Sequence, residues 1–141
     1  MSEIQVLMIE DNPGDLRLIR EILDYTGMGY EQRVARNAEE AIAVLSSSSW
    51  RPDIVFVDLN LPGKSGWEVL KLMKSRSELK AIPTVVITGI LNKEEIKKAK
   101  DLGVDLSLEK YRDTTGLDNS VDLVRDLLCK RFSAFVKTSD Q

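Results

Sequence analysis

The 141-residue chain contains no histidine and only one cysteine, Cys129. Without histidine there is no Ser-His-Asp or Cys-His catalytic centre and no histidine phosphocarrier. A single thiol forms neither an internal disulfide nor a cysteine cluster for zinc. Long apolar runs are missing too: stretches such as Ile54 to Val57 are strand-sized, far short of the ~20 residues that span a bilayer. There is no excess of basic residues. The net charge of −3 argues against a general nucleic-acid binder, which would show a basic face. Met1-Ser2-Glu3 lacks the basic start and apolar stretch of a signal peptide, so the expected location is the cytoplasm and no membrane partner is expected. Chemistry must run on carboxylates, hydroxyls, lysines and a metal.

What is present reads as one globular domain spanning residues 1–141, since 43% of the residues are hydrophobic and 30% charged. A capping residue followed three positions later by an acid occurs at Asn12/Asp15, Asn37/Glu40, Ser65/Glu68, Asn92/Glu95 and Thr115/Asp118. In each pair the first side chain can accept an unpaired N–H of the first turn. The acid can answer the cap residue's own N–H and suits the positive end of the helix dipole. Pro13 supports the first start, because its missing N–H is no loss there. Between these starts lie apolar, β-branched runs: Ile4 to Ile9, Glu31 to Ala35, Ile54 to Val57, Thr84 to Ile87 and Leu106 to Leu108. Strands alternating with helices predict a three-layer α/β domain around a parallel five-stranded sheet.

In such a sheet, ligands sit outside the carboxyl ends of the strands. The first strand runs into Glu10-Asp11, the third ends at Asp58, the fourth at Thr88 and the fifth at Lys110. Singly, each has a structural explanation, as a helix cap, a strand closer or a solvated lysine. Jointly they place three carboxylates, a hydroxyl and an ammonium on one rim. Clustered carboxylates repel unless a cation compensates, and hard oxygen ligands with room for water suit Mg²⁺. A carboxylate beside that ion can act as a nucleophile toward phosphorus, with the metal and Lys110 neutralising the transferring oxygens.

These residues resemble the response-regulator receiver family over essentially the whole chain. The motifs are Glu10-Asp11-Asn12, Asp58 with Pro62 and Gly66 following, Thr88, and Lys110 after Gly103-Val104-Asp105. The segments Glu10 to Asp15 and Asp58 to Pro62 are particularly similar to small single-domain receivers paired with phytochrome-type kinases. The resemblance implies a flavodoxin-like, doubly wound (βα)5 fold with strand order 2-1-3-4-5. It implies that Asp58 accepts a phosphoryl group from a phosphohistidine on a sensor histidine kinase. Asp11 and Asp58 would bind Mg²⁺ directly, Glu10 through water, and the backbone carbonyl of Asn60 would add a ligand. Thr88 and Lys110 would contact the phosphoryl oxygens and so take part in the transfer. Thr88 and the fourth and fifth helices would then form a two-state switch toward a downstream protein. Two positions depart from the family. Ser107 stands where an aromatic ring is usual, so ring-coupled switching is expected to be missing or rerouted. Tyr111 stands where proline, often cis, follows the lysine. A cis bond before another residue costs about 2.5–4 kcal/mol, so Lys110 is expected to be displaced.

From Thr115 onward, Leu117, Val121, Val124, Leu128, Phe132 and Phe135 form one apolar stripe, running into an extension at about residues 130–141. Leu123 and Leu127 lie on another face, and with Phe132 and Phe135 they suggest a homodimer surface. Two other functions compete. One is a receiver whose switching has decayed into an interaction module. The other is a haloacid-dehalogenase-type phosphatase, which has a comparable Asp-x-Asp start; Asn60 in place of the second aspartate counts against it. The expected protein is a phosphoacceptor signalling domain, not an enzyme.

Overall fold

The computed structural model describes residues 3–61, 65–89, 92–110 and 114–131, with the side chains of 114 and 115 excepted. Pro62, Tyr111, Phe132 and Phe135 therefore lie outside the described residues. The elements alternate as β1 (Ile4–Ile9), α1 (Pro13–Thr26), β2 (Tyr30–Ala35), α2 (Ala38–Ser46), β3 (Ile54–Val57), α3 (Gly66–Ser75), β4 (Thr84–Thr88), α4 (Lys93–Asp101), β5 (Leu106–Glu109) and α5 (Thr114–Arg131). All strand pairs are parallel and the order is β2-β1-β3-β4-β5.

Alternation along the central strands divides the core in two. Leu7, Ile9, Val55, Val57 and Val86 face α2, α3 and α4, where they meet Ala41, Leu45, Val69 and Leu70. Val6, Met8, Ile54, Phe56, Val85 and Ile87 point the other way, onto Ile19 and Ile22 of α1 and Val124 and Leu128 of α5. Strands covered on both faces read as near-continuous apolar runs, and β3 and β4 are buried throughout, with Thr84 and Thr88 only at the two ends of β4.

The helix starts follow the capping residues unevenly. Asn12 accepts from the N–H groups of Gly14 and Asp15, Asn37 accepts from Glu40, and Asn92 with Glu95 forms a reciprocal box. Ser65 makes no side-chain cap bond; its carbonyl takes the Glu68 N–H instead. The Thr115/Asp118 expectation is corrected, because α5 opens at Thr114 and Thr115 is already inside it. Gly27 and Gly103 stand at φ 80° and 85°, left-handed positions that let the chain leave α1 and α4 without a Cβ penalty.

On α5, Val121, Val124 and Leu128 are buried, as the apolar stripe requires. Leu123 is exposed, whereas Leu127 packs in part against the core. No helix among the described residues is long and apolar enough to cross a membrane.

Candidate phosphoacceptor site

The sheet ladder carries past the ends of the strands and sets the rim. Asp58 N–H donates to Ile9 O at 3.0 Å, Glu10 N–H to Ala35 O at 2.9 Å, and Lys110 N–H to Thr88 O at 2.7 Å. Glu10, Asp58, Thr88 and Lys110 thus emerge side by side at one end of the sheet. Glu10, Asp58 and Thr88 are buried.

The Lys110 ammonium sits among three carboxylates. Its Nζ lies 2.6 Å from Asp15 Oδ2, 3.3 Å from Asp58 Oδ2 and 3.6 Å from Glu10 Oε1. The displacement expected from Tyr111 is therefore overturned: Lys110 reaches Asp58, held by its own backbone bond to Thr88 and by the carboxylates around it. Burial works to lower the pKa of Lys110. The hydrogen bond to Asp15 and the charges of Asp58, Glu10 and Asp15 outweigh it and raise the pKa.

Across the rim, the other Asp58 oxygen, Oδ1, accepts the Asn60 N–H at 3.0 Å. The Asn60 amide then donates to Thr88 Oγ1 at 3.1 Å, tying the hydroxyl into the same network. Gly66 opens α3 against this turn, its N–H donating to Leu59 O at 3.1 Å. A Cβ on Gly66 would stand 2.3 Å from Asp58 O, so only glycine lets the helix approach the Asp58 backbone this closely. Ser107, paired in register with Val86, is half-buried and places no ring beside Thr88.

Glu10 carries the electrostatic tension of the site. Its Oε2 accepts from the N–H groups of Asp11 and Asn12 at 3.0 and 3.3 Å. Oε1 is buried with no hydrogen-bond partner. Burial first, and the Asp58 charge second, push the Glu10 pKa from 4.5 up to about 7. An orphaned carboxylate oxygen beside further carboxylates is the kind of donor set a hard divalent cation relieves.

Carboxylate oxygens of Glu10, Asp15 and Asp58 lie within 4.8 Å of one another and could hold a metal ion. Asp15, read from sequence only as a cap partner, is thus part of the site. Asp11, the expected direct ligand, is exposed and is not one of the three. The available signal for Asp15 was an acid in the first turn directly after the Glu10-Asp11 pair.

A parallel three-layer sheet with an aspartate, a threonine and a lysine converging on one rim defines the phosphoacceptor type of α/β domain. The family profile of the response regulator receiver domain matches residues 6–122. Response regulator Rcp1 of Synechocystis is 35% identical over 117 residues, 79% of this chain and 80% of its own length. The polar-differentiation response regulator DivK of Brucella anthropi is 31% identical over 105 residues, 74% of this chain and 82% of DivK. Among solved structures, the phosphorylated cyanobacterial phytochrome response regulator RcpA superposes with a TM-score of 0.76 at 32% identity, covering 94% of this chain and 96% of RcpA. The Mn²⁺-bound form of Rcp1 gives 0.74 at 32%, covering 89% and 92%. The chain belongs to the response regulator receiver domain family. It is a receiver of two-component signalling and not an enzyme of the classical kind, which removes the phosphatase alternative.

Proposed function

We propose that Asp58 is the phosphoacceptor of this receiver, taking a phosphoryl group from the phosphohistidine of a sensor histidine kinase in the cytoplasm. The observation that carries the reading is the buried Asp58 carboxylate with the Lys110 ammonium 3.3 Å from its Oδ2. In the transfer, a carboxylate oxygen of Asp58 forms the new P–O bond and the P–N bond to the donor imidazole breaks. The imidazole nitrogen keeps the electron pair and takes a proton. Lys110 neutralises charge on the phosphoryl oxygens. The Thr88 hydroxyl supplies a further donor once it turns from Asn60. Mg²⁺, when bound, supplies charge compensation for the acidic cluster and the phosphoryl group. Asp58, Asp11 and the carbonyl of Asn60 would hold it, with Glu10 beside them. The orphaned Glu10 oxygen and the Mn²⁺-bound relative support such a site.

The signal would leave through a protein surface, to a downstream protein and to a second copy of the chain. Exposed Leu123 and half-buried Leu127 on α5 support the homodimer. Half-buried Ser107 favours the second reading, an interaction module that works without phosphorylation, because no ring follows Thr88. Incubation with a labelled phosphohistidine kinase discriminates the two. Label should pass to this chain in the presence of Mg²⁺ and stay on the kinase after chelation. A chain that never takes label from any active phosphohistidine donor is the interaction module.

A further inference from the structure

The shortest contact of the Lys110 ammonium is with neither reacting group. It is with Asp15, 95 residues away, at 2.6 Å. Asp15 stands in the first turn of α1, and its place there is fixed from two sides. Asn12 caps the turn by accepting from Gly14 and Asp15, and Leu16, Ile19, Ile22 and Leu23 bury the helix against the sheet. The backbone that carries the carboxylate is therefore held in place, and about three-quarters of both side chains is shielded from solvent.

We propose that Asp15 is the positioning residue for Lys110, fixing the ammonium beside Asp58 from a carboxylate that takes no part in the transfer. This inference rests on the phosphoacceptor reading of the site. Lysine is a flexible stem with a compact charge, and holding it in one place costs rotamer entropy that a fixed partner offsets. Glu10 and Asp58 are poor anchors. Glu10 lies farther from the ammonium, at 3.6 Å against 2.6 Å for Asp15, and Asp58 loses its free carboxylate when it is phosphorylated. Asp15 remains as a counter-charge through every step. It also acts in a chain where Tyr111 replaces the proline that follows the lysine elsewhere in the family.

The test is a double-mutant cycle on the full chain, with acetyl phosphate as donor and saturating Mg²⁺. Asp15→Ala should slow phosphorylation of Asp58 by about tenfold, since small misplacements of a catalytic group cost one to two orders of magnitude. Asp15→Glu should recover part of that loss. In a Lys110→Ala background, Asp15→Ala should cost no more than about twofold further, because coupled residues are not additive. The loss should persist when Mg²⁺ is raised about tenfold further, because excess cation refills a weakened metal site but does not restore the hold on Lys110. Multiplicative losses in the double variant would overturn the proposal, as would a rate that recovers when Mg²⁺ is raised. A rate per folded molecule that is unchanged while stability falls would assign Asp15 a structural role only and overturn it equally. Nitrogen-15 NMR of the lysine ammonium groups separates this inference from the reading beneath it. A slowly exchanging Lys110 signal that vanishes in Asp15→Ala supports the tether even if Asp58 takes no phosphoryl group. A signal indifferent to Asp15 removes the tether even if Asp58 does.

Discussion

Replacing Gly66 by alanine adds one methyl group where the chain has no room for it. The new Cβ would lie 2.3 Å from Asp58 O, 2.9 Å from Leu59 Cα and 3.1 Å from Asp58 C. All three are backbone atoms, so no rotamer change relieves the contact, and either α3 or the Asp58 turn must move. Overpacking of this kind costs about 1–3 kcal/mol and occasionally more. With backbone as the neighbour, the upper end, about 3 kcal/mol, is expected. For a chain of 141 residues the unfolding entropy is about 0.3 kcal/mol per degree, so Tm should fall by about 10 °C. Urea titration should show a lower midpoint with an unchanged slope, the signature of a stability change alone. Gly89→Ala is the control, because nothing lies within 4 Å of a Cβ there and its φ is not left-handed. It should stay within about 0.5 kcal/mol of the parent. The folded remainder of Gly66→Ala should also accept phosphoryl groups more slowly, since the shift bears on Asp58 itself. A loss below about 1 kcal/mol, or an equal loss in Gly89→Ala, would refute the reasoning.

Three further outcomes are expected. In metal-free protein, Glu10 holds its proton more tightly folded than unfolded, with a pKa raised from 4.5 to about 7. Its contribution to stability is therefore full below pH 4.5 and lost as the pH rises through about 7; Tm against pH should flatten across that window in Glu10→Gln, and an unaltered slope would contradict the assignment. Removing Asp11 should weaken Mg²⁺ binding more than removing Glu10, measured by titration of both variants; equal losses would deny Asp11 its direct role. Sedimentation should show a dimer for the full chain and a monomer when it ends near Lys130, whereas a strictly monomeric full chain, with and without phosphorylation, would remove the homodimer.

Much of this arrangement was legible in the chain. Asn12, Asn37 and Asn92 announced their helices because capping is local, decided within four residues. Glu10, Asp58, Thr88 and Lys110 were legible as a site because each ends or follows an apolar run, and the ends of parallel strands share one rim. The strand order was not readable from pattern, since crossovers depend on how helices pack, and it came from the family resemblance. Asp15 was misread for a related reason. Its neighbours in sequence suggest a cap partner, and only the contact with Lys110, 95 residues on, shows its other use. Lys110 was misjudged in the opposite direction: Tyr111 suggested displacement, while the bond from its N–H to Thr88 O keeps it at the rim.

The mass of the intact protein after incubation with acetyl phosphate and Mg²⁺ tests Asp58 most directly. The parent chain should gain the mass of one phosphoryl group, fail to gain it when Mg²⁺ is chelated before donor is added, and show none at all as Asp58→Asn. Undiminished labelling of Asp58→Asn, or a parent chain that takes no phosphoryl group with donor and metal in excess, would contradict Asp58 as the acceptor.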